Sequence, residues 1–127
     1  MACVNKFFLI FISLILPFGG YGQVYELSSV NFEAVISQYK ILVHFYSSVS
    51  PGCRQMSTDY SVTAASLTKS GSDIKLGRLS CDLERTLCVE AGVKFVPTIK
   101  YYRNGAVIDY TGSRTAVGFL TFLSKYP

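Results

Sequence analysis

The sequence predicts an α/β domain, a mixed central sheet with helices on both faces, with elements in the order βαβαβαββα. Three observations lead there. The run Ile41 to Tyr46 (I-L-V-H-F-Y) is apolar at nearly every position, the pattern of a strand covered on both sides. Short β-like runs alternate with segments whose apolar residues recur at helical spacing. Near the end, Arg103-Asn104-Gly105 separates two β-like runs, the signature of a tight hairpin.

The chain has 127 residues, half of them hydrophobic, which suits one domain. Its start reads as a leader: Met1 to Lys6 is short and basic, Phe7 to Leu16 is apolar except for Ser13, and Gly20-Tyr21-Gly22 offers small residues for cleavage. A secretory signal peptide over residues 1–22 is expected, leaving a domain over residues 23–127. The apolar run is short for a membrane span.

Val24 to Leu27 alternates as an edge strand. Ser28 or Ser29 then caps a helix with Phe32, Val35 and Ile36 on its apolar side, ending near Tyr39. After the strand Ile41 to Tyr46, a longer helix starts at Pro51 or Gly52 and runs to Thr68, with Met56, Tyr60, Ala64 and Leu67 facing inward. Lys69 to Asp73 is a loop. Ile74 to Ser80 alternates as a strand. A short helical segment within Cys81 to Ala91, with Asp82 as cap, ends at Gly92. Thr98 to Tyr102 and Val107 to Tyr110 form the hairpin, and Thr115 to Lys125 closes as a helix with Val117, Leu120 and Leu123 on one side.

Charge excludes little: the net charge is +4, and the basic residues are scattered, with no stripe to suggest nucleic acid. Cysteine says more. Cys3 falls in the leader, so Cys53, Cys81 and Cys88 meet an oxidising compartment. Three is odd, so one thiol is free or pairs with another molecule.

The β-α-β order and three motifs identify a resemblance to the thioredoxin superfamily, and more closely to the thioredoxin-like domains of protein disulfide isomerases, over about residues 24 to 125. Phe45-Tyr46-Ser47-Ser48-Val49-Ser50-Pro51-Gly52-Cys53-Arg54-Gln55-Met56 resembles F-Y-A-P-W-C-G-H-C-K-x-M/L. Gly92-Val93-Lys94-Phe95-Val96-Pro97-Thr98-Ile99-Lys100-Tyr101-Tyr102 resembles G-V-x-x-x-P-T-I/L-x-x-F/Y, and Tyr110-Thr111-Gly112-Ser113-Arg114 resembles Y-x-G-x-R. The resemblance implies a thioredoxin fold.

The departures decide the expected function. Active relatives carry C-x-x-C, whose first thiol attacks a substrate disulfide and whose second resolves the mixed disulfide. Here Ser50 holds the attacking position and Cys53 the resolving one. An alcohol ionises far less readily than a thiol and forms no disulfide, so the resemblance implies little or no dithiol turnover. His44 occupies the strand position of a buried carboxylate thought to relay protons to the resolving thiol. It is either a proton acceptor for Cys53 or a neutral buried imidazole. Arg114 matches an arginine thought to tune that thiol, or is a solvated loop charge. Cys53 either traps a partner as a mixed disulfide or is a buried remnant. Ser50 and His44 lack the third residue and the nucleophile elbow of a serine hydrolase.

The resemblance also implies a structural disulfide between Cys81 and Cys88, against the alternative of two buried thiols. At Val96-Pro97 it implies a cis bond, with the backbone before Pro97 pairing with an extended substrate as an added strand, and Phe95 lining the groove. The expectation is a domain of the secretory pathway that serves protein folding by binding unfolded or extended polypeptide. The alternative is a monothiol isomerase or mixed-disulfide trap acting through Cys53. No metal or cofactor is expected, since the cysteine spacing matches no compact ligand pattern, nor any nucleic acid or, after leader cleavage, membrane partner. The endoplasmic reticulum lumen or secretion is the expected location. Lys125-Tyr126-Pro127 is not a Lys-Asp-Glu-Leu-type retrieval signal.

Overall fold

A computed structural model describes residues 23–127 except Gly52, with the backbone alone for residues 53–55. The expected leader lies outside the described residues. The elements are β1 (Val24–Leu27), α1 (Phe32–Gln38), β2 (Ile41–Tyr46), α2 (Cys53–Lys69), β3 (Lys75–Ser80), α3 (Arg85–Glu90), β4 (Thr98–Arg103), β5 (Ala106–Asp109) and α4 (Ala116–Lys125).

The five strands form one sheet in the order β1-β3-β2-β4-β5. β1, β3 and β2 run parallel, while β4 and β5 are antiparallel to their neighbours. β2 sits in the middle because its side chains are apolar on both faces: Ile41, Leu42, Val43 and Phe45 are fully buried. Leu42 joins a core with Met56, Tyr60, Ala64 and Leu67 of α2 and Phe119 and Leu123 of α4. Ile41, Val43 and Phe45 face the other way, toward Phe32 of α1 and Cys88 of α3. The helices thus cover both faces. Tyr60 fixes α2 on the sheet, its buried phenol donating to the carbonyls of Leu42 (2.7 Å) and Gly77 (2.9 Å) on adjacent strands. The β4–β5 turn uses Asn104 (φ 51°) and Gly105 (φ 82°), the left-handed pair a type I′ hairpin needs.

Three local expectations are corrected. Asn31, not a serine, precedes α1, because Ser28 is used one step earlier. Its N–H donates to Asn31 Oδ1, and its hydroxyl accepts from the Val30 N–H. Asp82 does not cap α3, which starts at Arg85 after Glu84; its carboxylate is engaged across the fold. In α4, Val117 is 75 % exposed and Phe119 is buried in its place. Thr115, whose hydroxyl accepts from the Gly118 N–H, sets where the helix begins and so which residues turn inward.

Candidate functional site

The carboxyl ends of β2 and β3, the start of β4 and the end of β5 meet at one end of the sheet. Phe45 pairs with Thr98, Tyr46 with Ser80, and the Tyr110 N–H donates to the Ile99 carbonyl (2.9 Å). In an open α/β sheet this is where ligands bind. Ser50, Cys53, Val96, Pro97 and Arg114 all lie on segments emerging there. His44 sits just below, on β2.

The turn from Ser47 to Pro51 is tied down by Asp82 from the β3–α3 loop. The Asp82 carboxylate accepts from the hydroxyl of Ser47 (2.9 and 3.0 Å), the N–H of Ser48 (2.9 Å) and its hydroxyl (3.1 Å). The Ser48 N–H first, then the Ser47 hydroxyl, hold this carboxyl below its ordinary value. The loop is itself anchored: the Cys81 N–H donates to the Tyr46 carbonyl (2.8 Å), and Cys81 is bonded to Cys88 with Cα atoms 5.7 Å apart. Ser50 donates its N–H to the Ser47 carbonyl (3.0 Å). Cys53 is the first residue of α2.

Beneath α2 lies a polar row across the sheet. Register places Glu26 opposite Arg78 and Arg78 opposite His44. Arg78 is buried, pairs through Nε with Glu26 (3.0 Å) and lies 4.2 Å over the Tyr46 ring. The Tyr46 hydroxyl donates to Glu26 Oε2 (2.8 Å). His44 has its ring 5.7 Å from the rings of both Tyr46 and Tyr60. Burial, then the positive charges of Arg78 and Arg114, push its pKa down to about 3. The imidazole is therefore neutral at physiological pH.

The Val96–Pro97 bond is cis. Phe95, 71 % exposed, and Pro97 line a groove of about 450 Å³ that extends to Lys94, Lys100 and Arg114. Arg114 is carried by a loop in which the Tyr110 hydroxyl donates to the Ser113 carbonyl. Glycine is needed under this ring: a Cβ on Gly112 would come 2.7 Å from the Tyr110 hydroxyl, and one on Gly118 2.6 Å from the Ser113 carbonyl oxygen. The spacing Y-x-G-x-R thus has a packing reason.

The structure brings Phe95, Pro97 and Arg114 to one groove, Val96 beside it, and the Arg114 charge within reach of His44. Cys81 and Cys88 stand apart, bonded to each other. Sequence reasoning missed Glu26, Arg78 and the Asp82 contacts. Arg78 left a signal, since in the strand K-L-G-R-L-S it occupies the same face as the buried Leu76. The contacts between Asp82 and the serines left none, because they span 34 and 35 residues.

This fold and site define a class of protein: a domain with a thioredoxin architecture, with a turn before a long helix and a cis-proline at the same end of the sheet. The thioredoxin family model matches residues 23–125, and the chain belongs to that family. Within it the chain is a protein disulfide isomerase-like domain. It is 34% identical over 103 residues to the probable protein disulfide-isomerase A4 of Caenorhabditis elegans, covering 80% of this chain and 17% of that protein. It is 34% identical over 106 residues to the protein disulfide-isomerase of Gallus gallus, covering 80% and 21%. Among solved structures, the first thioredoxin domain of mouse protein disulfide-isomerase A4 superposes with a TM-score of 0.71 at 26% identity, covering 80% of this chain and 74% of that one. The chain thus spans about a fifth of the length of these curated relatives.

Proposed function

We propose that this domain serves protein folding in the secretory pathway, in the endoplasmic reticulum lumen or outside the cell, by binding extended or unfolded polypeptide with little or no dithiol redox turnover. The observation that carries the reading is Ser50, placed three residues before Cys53 at the start of α2. A dithiol cycle needs two sulfurs, one to attack the substrate disulfide and one to expel the product, and the first is missing. The polypeptide-binding half is supported by the groove at Phe95 and Pro97. Beside it, no hydrogen bond engages the Val96 N–H or carbonyl among the described residues. These groups suit pairing with an added strand. The exposed apolar side chains Val49, Leu83 and Phe95 on the surrounding loops suit unfolded chains.

The second reading is a monothiol enzyme. Cys53 opens a helix of 17 residues, where the helix dipole lowers a thiol pKa. Its thiolate would attack a substrate disulfide, forming a mixed disulfide and releasing one substrate thiolate. His44 gives this step no help, since a base of pKa about 3 takes no proton from a thiol near pH 7.

Insulin reduction and refolding of scrambled ribonuclease test the choice. The expected result is turnover at the uncatalysed level for wild type and Cys53→Ala alike, with both slowing aggregation of an unfolded client. Turnover by wild type that Cys53→Ala abolishes would establish the monothiol enzyme instead.

A further inference from the structure

We infer that the groove beside Pro97 selects acidic polypeptide, segments carrying Asp or Glu within a few residues of the stretch that pairs with Val96. The inference rests on the polypeptide-binding reading and adds a substrate class to it. Lys94, Lys100 and Arg114 line the groove, and Asp109 is its single carboxylate. Asp109 is already spent on Lys100, at 2.8 Å. Lys94 and Arg114 have no ion-pair partner among the described residues. Three acids on neighbouring segments accept hydrogen bonds, Asp59 among them, from the Ala116 N–H (3.3 Å). Asp82 is held by Ser47 and Ser48, and Glu84 accepts from the Ser29 N–H (3.1 Å). The wall that an added strand would pass is therefore net positive, with Lys94 and Arg114 outside any ion pair among the described residues and its one carboxylate, Asp109, occupied by Lys100.

The apolar part of the groove argues for a peptide over a small anion. Phe95 and Pro97 offer contact area, while Lys94 and Arg114 are exposed charges rather than a closed anion cage. An extended chain advances about 3.3 Å per residue with side chains alternating. Side chains two and four residues from the paired position thus fall on the same side, toward the basic wall. Exposed charge pairs of this kind contribute little each and are screened by salt, so the selectivity is modest and ionic-strength dependent.

Fluorescence anisotropy with two cysteine-free extended peptides, equal in length and apolar content, one rich in Glu and one in Lys, tests this on the full chain. At low ionic strength the Glu peptide is expected to bind about tenfold tighter. The preference is expected to vanish near 0.5 M salt, about where screening lengths fall to a few Å. Lys94→Glu with Arg114→Glu reverses the order, whereas Lys69→Glu with Lys125→Glu, two reversals away from the groove, preserves it; circular dichroism confirms that both variants fold. Equal binding of the two peptides, or a preference untouched by the groove reversals or equally lost with the distant ones, overturns the inference while leaving polypeptide binding intact. Binding of neither peptide overturns both.

Discussion

An imidazole with a pKa of about 3 in the folded chain and about 6.5 in the unfolded one sets folding against proton uptake. Between those values the unfolded chain binds a proton that the folded chain refuses. His44 therefore costs no stability above about pH 6.5 and progressively more as pH falls toward 3. Urea unfolding of wild type between pH 7.5 and 5 is expected to show falling stability, and His44→Gln a flatter profile over that range. The range avoids most carboxylate titration. The Asp82 contribution, from a lowered pKa, is lost only as pH drops through more acidic values. At Tyr60 the phenol serves two carbonyls. Tyr60→Phe is expected to lower unfolding free energy by about 2 kcal/mol, from buried acceptors left unmet, read from the same urea curves. Neither effect was legible in the sequence: His44 could be read as an inner strand residue, but not whether carboxylate or guanidinium would stand opposite it. That depends on strand register.

Among elements, those with strong periodicity were legible and the short connections were not. The inward residues of α2 could be read from i, i+4 and i+7 spacing because one face of a long helix must be apolar. The inward face of α4 differs from the expected one at its start, Phe119 taking the place of Val117, since two apolar sets compete there and the Thr115 cap decides. The loop between β5 and α4 depends on two close backbone approaches. Gly118→Ala, whose methyl meets a backbone carbonyl at 2.6 Å, is expected to destabilise the domain by about 2 kcal/mol and to lower the thermal midpoint. The Cys81–Cys88 bond closes a short loop with a sequence separation of 7. The paired change Cys81→Ser/Cys88→Ser is expected to cost about 2 kcal/mol. Because Asp82 lies between these cysteines and holds Ser47 and Ser48, the same variant is also expected to raise amide hydrogen exchange across the Ser47–Ser50 turn.

For the whole molecule, the mixed sheet and the coverage of both faces could be anticipated. A doubly buried strand, parallel crossovers and a terminal hairpin leave few arrangements open. The candidate site was legible as a set of segments at one sheet end, but its electrostatics were not. The pairing of Arg78 with Glu26, and of Lys100 with Asp109, joins strands through register alone. At this scale the natural experiment is to restore the missing sulfur. Ser50→Cys, giving two thiols around the turn with Cys53, is expected to reduce insulin faster than wild type in the presence of dithiothreitol.

On the proposed reading, returning the outer sulfur leaves His44, a neutral ring, in the place of a proton relay for the inner one. A variant repaired only at Ser50 is thus expected to reduce insulin slowly, each cycle waiting on the inner thiol to lose its proton. Adding His44→Glu supplies a carboxylate to ferry the departing hydrogen ion and is expected to raise that rate. On that reading the site departs from a dithiol enzyme's in two places, one on the rim and one under the floor, and mending the visible one is only half a repair.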